Sequence, residues 1–282
     1  MKSRNSDFHY EIKIEDCVQG MRALPDKSVD IVVTSPPYNL GINYTEYDDN
    51  KKPEDYLKWS CEWAKEVMRV LKDKGSFFLN LGACPSNPLI PHELIVELKG
   101  PKVGFILQNT FHWIKSITIQ KGDRLISAGH FKPIQSRRFV NDCHEYVFHL
   151  TKHGNTPIHR LSLGVPYADK SNIARWAHTK GRDLRCRGNT WFIPYKTIVN
   201  SEKERPHPAT FPVELAESCI RIHGCKPDSV ILDPFVGIGH SVIAARRCGI
   251  RRFIGFDIDR EYVRVARLVL QRLTKRLKIT RS

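Results

Sequence analysis

The sequence predicts an α/β fold built on a doubly wound, mostly parallel sheet. Segments with strand and helix patterns alternate in two parts of the 282-residue chain, the N-terminal third and the C-terminal end. Such alternation is typical of parallel sheets whose two faces are covered by helices. The stretch between the two parts is less regular, and its long loops rich in Gly, Pro, Arg and Lys predict an inserted region.

The N-terminal third is predicted to contain three strands, YEIKI (10–14), VDIVV (29–33) and SFFLNL (76–81). Helical spacing follows the first strand from Asp16, and a longer helix is expected to begin near Pro53, followed by two acidic residues. Proline and acidic residues are favoured in a first helical turn. Large apolar residues recur along this helix every three or four positions, so one face is expected to pack on a core. Gly75 is expected to end it.

The other predicted elements lie in the middle of the chain and at its C-terminal end. Strands are predicted at 106–114 and 145–151, with long loops at 116–141 and 153–190. The C-terminal part alternates again, with a helix at 211–224, a strand at 229–235, a helix at 239–249, a strand at 251–259 and a helix at 260–273. This order is that of one nucleotide-binding half of a doubly wound sheet.

The charge of the chain favours a polyanionic partner. Its net charge is +15 and its isoelectric point is near 9.5. Residues 121–190 hold thirteen Lys or Arg against five Asp or Glu, with aromatic residues between them. Basic side chains clustered in this way suit contact with the phosphates of a nucleic acid. A solvated basic face is the alternative interpretation.

Composition disfavours several classes of protein. A hydrophobic content of 41% is that of an ordinary globular core. The chain has no apolar run of about 18 residues and its N-terminus has no apolar signal-peptide core, so a cytoplasmic protein without membrane contact is expected. The eight cysteines include no CxxC pair, so reduced thiols are expected and a metal site is not.

The segment LDPFVGIGH (232–240) is the first candidate site. Asp233 ends a predicted strand, and Gly237 and Gly239 allow a tight turn close to a ligand before the next helix. Asp257, at the end of the following strand, suits hydrogen bonds to ribose hydroxyls. The GxGxxG pattern is incomplete, which disfavours a nicotinamide oxidoreductase. An adenosine-containing ligand without a pyrophosphate is favoured, S-adenosylmethionine fits, and a purely structural turn is the alternative.

The segment TSPPYNL (34–40) is the second candidate site. Two prolines after an apolar strand stiffen the turn and leave main-chain carbonyls that can accept hydrogen bonds. The hydroxyl of Ser35 is a further acceptor, and the ring of Tyr38 offers a face for stacking. Such a turn could hold an exocyclic amino group while a planar base stacks on the ring. Taken alone, the two prolines favour a structural turn instead.

Together these segments resemble the amino-group DNA methyltransferases, which methylate N4 of cytosine or N6 of adenine with S-adenosylmethionine. TSPPY and DPFVGIG carry the resemblance, which extends over residues 10–270. The catalytic motif precedes the cofactor motif, which looks like the beta group, with a circularly permuted Rossmann-like sheet and an inserted target-recognition region. The resemblance implies a catalytic half at 8–152 with loop 116–141 toward DNA, a target-recognition region at 153–205, a cofactor-binding half at 206–275 and a basic tail at 276–282.

The resemblance also assigns roles to individual positions. It implies that the catalytic turn is formed by Ser35, Pro36, Pro37 and Tyr38. It implies that the cofactor lies against Asp16 near its adenine, Asp257 at its ribose, Asp233, Phe235, Gly237 and Gly239 at its methionine end, and Thr210 and Phe211 in the same pocket. His240 stands where relatives often carry Thr, and its role stays open.

The implied reaction is methyl transfer from S-adenosylmethionine to N4 of a cytosine flipped out of double-stranded DNA. The Ser35 hydroxyl and the Pro36 carbonyl would accept hydrogen bonds from the target amine and localise its lone pair. In the family, Ser at the first motif position is associated with cytosine, and Asp or Asn with adenine. An N6-adenine enzyme, an RNA methyltransferase and an inactive nucleic-acid-binding module are the alternatives.

The sequence context of the cysteines disfavours a cytosine-C5 mechanism. That mechanism needs a cysteine nucleophile in a Pro-Cys context, and the similar pair in this chain, Cys84-Pro85, has the reverse order. The sequence leaves open a homodimer and a cognate restriction endonuclease as further partners.

Overall fold

A computed structural model describes residues 8–85, 87–129, 135–194 and 210–279, with side chains as far as residue 273. The described residues contain ten strands, β1 (His9–Ile14), β2 (Val29–Thr34), β3 (Leu71–Leu81), β4 (Ile106–Ile114), β5 (Ser116–Lys121), β6 (Arg124–Gly129), β7 (His144–Thr151), β8 (Thr190–Phe192), β9 (Val230–Asp233) and β10 (Arg252–Asp257). They also contain seven α-helices, α1 (Cys17–Arg22), α2 (Pro53–Val70), α3 (Ile90–Lys99), α4 (Ser171–Arg175), α5 (Val213–His223), α6 (His240–Arg247) and α7 (Arg260–Ile279).

Eight of these strands form one sheet in the order β1-β10-β9-β2-β3-β7-β4-β8. The first five are parallel, β7 is antiparallel to both of its neighbours, and β8 is parallel to β4. The sheet is therefore mostly parallel and doubly wound, as predicted. At its centre Ile31 of β2 lies opposite Ile231 of β9, so the TSPPY and DPFVGIG segments follow two adjacent strands.

Strand β2 illustrates how helices cover both faces of the sheet. Val32 belongs to an apolar cluster with residues of α1, α2 and α3, whereas Ile31 and Val33 belong to a cluster with residues of α5, α6 and α7. Successive side chains of a strand point to opposite faces. The unbroken apolar sequence of β2 is therefore what a strand between two helical layers requires.

The boundary between α2 and β3 differs from the prediction. The helix ends at Val70 and the strand begins at Leu71, so Gly75 lies within β3 instead of ending α2. The pairing of β3 with β2 shifts register between Val29 and Ile31, which accommodates the additional residues as a bulge. A Cβ atom on Gly75 would lie 2.6 Å from the Leu71 side chain, so this glycine permits close packing.

Part of the predicted loop 116–141 is a β-hairpin. Strands β5 and β6 pair antiparallel along their length, and among the described residues they form a sheet of their own. Their turn contains Gly122 with a φ of 59°, a conformation that glycine adopts without steric cost. The hairpin begins directly after β4 and therefore extends from the edge of the sheet where β4 ends.

The segment predicted to recognise the target is partly continuous with the sheet. Strand β8 pairs with β4, and Trp191 is buried with its ring centroid 4.2 Å from that of Phe111. The preceding segment, 153–189, is mostly exposed and contains α4. Residues 195–209, which include the end of the predicted region, lie outside the described residues.

Helix α7 continues to Ile279, so the predicted basic tail at 276–282 begins as part of this helix. Residues 280–282 lie outside the described residues. Within the described ranges, no helix has both the length and the apolar character needed to span a membrane.

Candidate active site

A pocket opens at the edge of the sheet where β2, β9 and β10 end. It encloses about 920 Å³, including the part that is open to solvent. Ligands of doubly wound sheets bind at the carboxyl ends of the strands where the strand order reverses. Eight of the twelve predicted site residues line this pocket, namely Asp16, Ser35, Pro37, Thr210, Phe211, Phe235, Gly237 and Asp257. The other four are Pro36, Tyr38, Asp233 and Gly239.

Asp233 is enclosed behind the pocket wall and does not line it. Its carboxylate accepts hydrogen bonds from Thr34 Oγ1 at 2.6 Å, from Ser241 Oγ at 2.5 Å and from the Phe235 amide at 3.1 Å. Burial raises the pKa of Asp233 to about 6, although these hydrogen bonds act in the opposite direction. Asp233 therefore joins the ends of β2 and β9 to the start of α6, which differs from the cofactor contact that was expected.

The two glycines of the turn have different roles. Gly237 lines the pocket with a φ of 50°, and its amide donates to Asp257 at 2.8 Å. Gly239 has a φ of 89°, and a Cβ atom there would lie 3.0 Å from the Cβ of Ala266 in α7. Gly239 therefore permits α6 to pack closely on α7, which is again a different role from the predicted cofactor contact.

Asp257 is the last residue of β10 and lines the pocket. One carboxylate oxygen accepts from Gly237, and the other accepts from the Asp259 amide at 2.9 Å. Burial raises the pKa of Asp257. A carboxylate has about four acceptor positions, so two donors from the protein leave capacity for hydroxyl groups of a ligand.

Asp16 lines the pocket and also begins α1. Its Oδ1 accepts from the amides of Val18 at 3.0 Å and Gln19 at 3.1 Å, which caps the helix. Capping by Asp satisfies amides that have no partner within the helix. The cap therefore explains how the Asp16 side chain is held at the pocket.

Thr210 and Phe211 form another wall, which His240 connects to α6. Both residues line the pocket, and His240 Nδ1 is 2.6 Å from the Phe211 carbonyl oxygen. Because a carbonyl oxygen only accepts, Nδ1 carries the proton of this bond. His240 therefore holds the Phe211 segment in place, a role that the sequence left open.

Aromatic residues of the pocket were missed by sequence reasoning. Tyr47 and Trp59 lie side by side with ring centroids 5.2 Å apart, and Trp59 contacts Phe235 at 5.7 Å. Tyr44 and Tyr262 also line the pocket. The signal was present, because two tyrosines stand in a polar loop that directly follows TSPPY.

The TSPPY turn follows β2 and meets the pocket through two of its residues. Ser35 and Pro37 line the pocket, whereas Pro36 is buried behind them. The Pro37 carbonyl accepts a hydrogen bond from Tyr56 Oη at 3.0 Å, which fixes the turn to α2. The Ser35 hydroxyl is therefore held at the pocket by a rigid and anchored backbone.

Tyr38 has a different environment from the one predicted. Its side chain is only 9% exposed, and its hydroxyl is 2.6 Å from Ser35 Oγ. A Cβ atom on Gly82 would lie 3.1 Å from the Tyr38 ring, so the glycine leaves room for it. In this structure the ring packs inside the site, and stacking on a target base would require it to become more exposed.

Three side chains behind the turn were also missed. Asn80 of β3 donates from Nδ2 to Tyr38 Oη at 2.5 Å and to Glu145 Oε2 at 2.7 Å. Tyr38 Oη donates to the same Glu145 oxygen at 3.1 Å, and Lys115 Nζ lies 3.3 Å from Glu145 Oε1. No local pattern revealed this cluster, because it forms only where β7 inserts between β3 and β4.

The chain matches a known protein family over most of its length. The family model described as DNA methylase (N6_N4_Mtase) matches residues 29–268. Type II methyltransferase M.BglII of Bacillus subtilis is 28% identical over 267 residues, which cover 90% of this chain and 67% of that protein. DNA adenine methyltransferase YhdJ of Escherichia coli K12 is 27% identical over 255 residues, which cover 89% of this chain and 79% of that protein.

Solved structures share the fold. The PvuII DNA methyltransferase (cytosine-N4-specific) superposes with a TM-score of 0.67 at 21% identity, covering 93% of this chain and 88% of that one. TTHA0409 of Thermus thermophilus, solved in complex with S-adenosyl-L-methionine, superposes with a TM-score of 0.60 at 23% identity, covering 94% of each chain. At these identities the similarity concerns the fold.

Proposed function

The chain belongs to the DNA methylase family, and we propose that it transfers the methyl group of S-adenosylmethionine to N4 of a cytosine in double-stranded DNA. One observation carries this proposal. Ser35, the acceptor of the TSPPY turn, and Asp257, the carboxylate at the end of β10, line the same pocket. The group that would hold the target amine therefore faces the same pocket as the group that would hold the cofactor.

The pocket residues fit S-adenosylmethionine. Asp257 keeps acceptor positions for ribose hydroxyls, and Tyr47 and Trp59 provide aromatic surface. The Tyr47 hydroxyl is buried and has no hydrogen-bond partner among the described residues. TTHA0409, which shares this fold, was solved with that molecule. When bound, S-adenosylmethionine supplies a methyl group activated by its positively charged sulfur.

The residues of this chain prepare the target amine for the reaction. An exocyclic amine delocalises its lone pair into the base and is a weak nucleophile. The Ser35 hydroxyl and the Pro36 carbonyl would accept its hydrogens and favour a geometry in which the lone pair is localised. The anchored turn keeps these acceptors fixed, and preorganised acceptors lower the barrier without reorganising during the reaction.

Ser35 supports cytosine as the target base. A hydroxyl stands at the position where the resemblance associates serine with N4 of cytosine and a carboxylate or amide with N6 of adenine. PvuII methyltransferase, which shares the fold, is described as cytosine-N4-specific. An adenine-N6 activity is the second candidate, because YhdJ is a DNA adenine methyltransferase and aligns over most of this chain.

Basic and aromatic side chains on the exposed segments support DNA as the substrate. Trp176 is 50% exposed in the segment proposed to recognise the target, among several Arg and Lys residues. In the segment after the hairpin, the Arg138 guanidinium lies 4.9 Å from the Phe139 ring centroid. We propose that this segment and the hairpin face the duplex, and that the target base leaves the stack to reach Ser35.

The experiment that tests this function is nucleoside mass spectrometry. The purified protein is incubated with S-adenosylmethionine and unmethylated double-stranded DNA, and in a parallel reaction with RNA. We expect N4-methylcytosine in the DNA and no methylated nucleoside with the Ser35→Ala variant. N6-methyladenine alone would select the second candidate, and methylated RNA alone would overturn the proposed substrate.

A further inference from the structure

Glu145 connects the catalytic turn to the strands beside it. Its Oε2 accepts from Tyr38 Oη at 3.1 Å and from Asn80 Nδ2 at 2.7 Å, and its Oε1 lies 3.3 Å from Lys115 Nζ. The Tyr38 hydroxyl is also 2.6 Å from Ser35 Oγ. The Glu145 side chain is 11% exposed. A largely enclosed carboxylate is therefore joined to Ser35 through a single phenol.

The carboxylate sets the direction of these hydrogen bonds. An ionised carboxylate accepts and does not donate, and a phenol has one proton. Tyr38 therefore donates its proton to Glu145, and in its bond with Ser35 it accepts. The Ser35 proton then points to Tyr38, and the lone pairs of the Ser35 oxygen are left for a donor in the pocket. This is the state of Ser35 that an exocyclic amine requires.

Asn80 and Lys115 reinforce this direction. Asn80 Nδ2 donates to Tyr38 Oη as well as to Glu145, so the phenolic oxygen is an acceptor on two sides. Lys115 faces the other carboxylate oxygen. An uncharged amide at position 145 would turn its oxygen toward the Lys115 cation and its NH₂ group toward Tyr38. Tyr38 would then lose the carboxylate oxygen that accepts its proton, and Asn80 would lose the acceptor it shares with Tyr38, so the phenolic proton would no longer be held away from Ser35.

We propose that Glu145 is a positioning residue for methyl transfer, which acts through Tyr38 to keep Ser35 as an acceptor for the target amino group. The proposal rests on the proposed function and adds a residue from β7 to the site. Glu145 does not line the pocket, and the distance from it to Ser35 spans two hydrogen bonds. Its effect therefore falls on the rate of transfer and leaves the affinities for cofactor and DNA unchanged.

The test is the Glu145→Gln variant in single-turnover methyl transfer to a DNA that the wild-type protein methylates. We expect the rate to fall about 100-fold, the loss typical of a misplaced transition-state hydrogen bond. The dissociation constants for S-adenosylmethionine and for DNA are measured in parallel and are expected to match those of the wild type. Glu145→Asp keeps a carboxylate acceptor and is expected to react faster than Glu145→Gln. An unchanged rate in Glu145→Gln would overturn the proposal.

Glu66→Gln is the matched control. Glu66 is 18% exposed and pairs with Arg69 at 2.8 Å, so it resembles Glu145 in burial and in having a cationic partner. It lies in the last turns of α2, which run toward the edge of the sheet away from the pocket. Its variant is expected to react at the wild-type rate. If Glu66→Gln slows transfer as much as Glu145→Gln does, the loss reflects stability and the positioning role is rejected.

Tyr38→Phe provides a second route if Glu145→Gln does not fold. Phenylalanine removes the hydroxyl that joins Glu145 to Ser35, and we expect a loss of rate similar to that of Glu145→Gln. A wild-type rate in Tyr38→Phe would reject the proposed role of the hydrogen bonds that run from Glu145 through Tyr38 to Ser35. By contrast, a wild-type protein that methylates no DNA would contradict the proposed function itself, so the two failures are distinguishable.

Discussion

Thr34 Oγ1 donates a hydrogen bond of 2.6 Å to Asp233 Oδ1, joining residues that are 199 positions apart. Thr34 is the last residue of β2 and precedes Ser35 and the two prolines of the TSPPY turn, whereas Asp233 is the last residue of β9 and precedes the glycine turn. Both are fully buried or nearly so. This bond fixes the two segments of the site relative to each other, although neither side chain lines the pocket.

Asp233→Asn is predicted to destabilise the protein. An asparagine amide would present its NH₂ group to at least one of the three donors that now face the carboxylate, leaving a buried donor without a partner. We expect the free energy of unfolding to fall by about 3 kcal/mol, measured by urea denaturation. The affinity for S-adenosylmethionine is expected to fall as well, because the turn that carries Gly237 loses its anchor.

Asp228→Asn is the control for this prediction. The Asp228 side chain is 92% exposed and lies 3.7 Å from Arg251. Exposed ion pairs contribute little to stability, so a change below about 0.5 kcal/mol is expected. Equal effects of the two substitutions would show that the buried carboxylate does not hold the site together.

The stability of the protein is predicted to fall in mild acid because of two buried histidines. His149 and His223 contact the Ser76 hydroxyl at 2.9 and 2.8 Å. Burial lowers the pKa of His149 to about 3 and that of His223 to about 4, from 6.5. Below pH 6.5 these two groups therefore bind more protons in the unfolded chain than in the folded protein, and their contribution to the free energy of unfolding decreases as the pH falls toward 4. Urea denaturation from about pH 7 to about pH 4.5 measures this loss.

His223→Gln isolates the contribution of one histidine. Each such group changes the free energy of unfolding by up to about 1.4 kcal/mol per pH unit, so the variant is expected to show a shallower dependence. Asp233, Asp257 and Asp49, whose pKa values burial raises, act in the opposite direction and are present in both proteins. The difference between variant and wild type at each pH therefore cancels their effect. Parallel curves for the two proteins would contradict the prediction.

Much of the fold was predictable because it is encoded in local patterns. The apolar sequence of β2 and the turn residues Asp233, Gly237 and Gly239 identified strands and a tight turn at the correct positions. The roles of Asp233 and Gly239 were not predictable, because they depend on partners brought close by the sheet order. The contact of Gly239 with Ala266 is an example, since nothing in the local sequence indicates that α7 packs there.

The polar cluster behind the TSPPY turn shows more clearly what local sequence patterns do not predict. Asn80 and Glu145 are 65 positions apart and meet because β7 pairs antiparallel with β3. Periodicity predicts that both segments are strands, but it does not predict their order or direction in the sheet. The prediction of the α2–β3 boundary was wrong for a different reason. Gly75 does not end the helix but permits close packing within a bulged strand.

The hairpin is predicted to contribute to DNA affinity through its basic tip. Lys121 and Arg124 form the last cross-strand pair and both are exposed, with Asp123 in the turn between them. The two like charges placed opposite each other outnumber this one carboxylate and favour an anionic partner. Replacing both by alanine is expected to weaken DNA binding about tenfold. The slope of log K, the DNA association constant, against log salt concentration is expected to fall by the amount that corresponds to about two phosphate contacts. Titrations of DNA at several salt concentrations measure both quantities.

Lys99→Ala with Lys102→Ala is the charge-matched control. Lys99 is the last residue of α3 and Lys102 lies in the turn that follows, and both are exposed. This turn precedes β4 and therefore lies at the edge of the sheet opposite the hairpin. This pair is expected to leave the salt dependence nearly unchanged. A hairpin variant that binds DNA as the wild type does, with the same salt dependence, would exclude the tip from the interface.

Gly239→Ala is predicted to weaken both the fold and the cofactor site. The backbone at Gly239 has a φ of 89°, and an alanine Cβ would lie 3.0 Å from the Ala266 Cβ and 3.2 Å from its Cα. Two causes contribute, the strain of an alanine at positive φ and the steric contact with Ala266. Gly249→Ala separates them, because Gly249 has a φ of 74° and open space around its Cβ position. Backbone strain alone costs about 1 kcal/mol. In urea denaturation the free energy of unfolding should therefore fall by about that much in Gly249→Ala and clearly more in Gly239→Ala.

Because α6 begins at the pocket, Gly239→Ala should also weaken S-adenosylmethionine binding, measured by calorimetry, whereas Gly249→Ala should not. Equal losses in the two variants would mean that the contact between α6 and α7 does not constrain the turn.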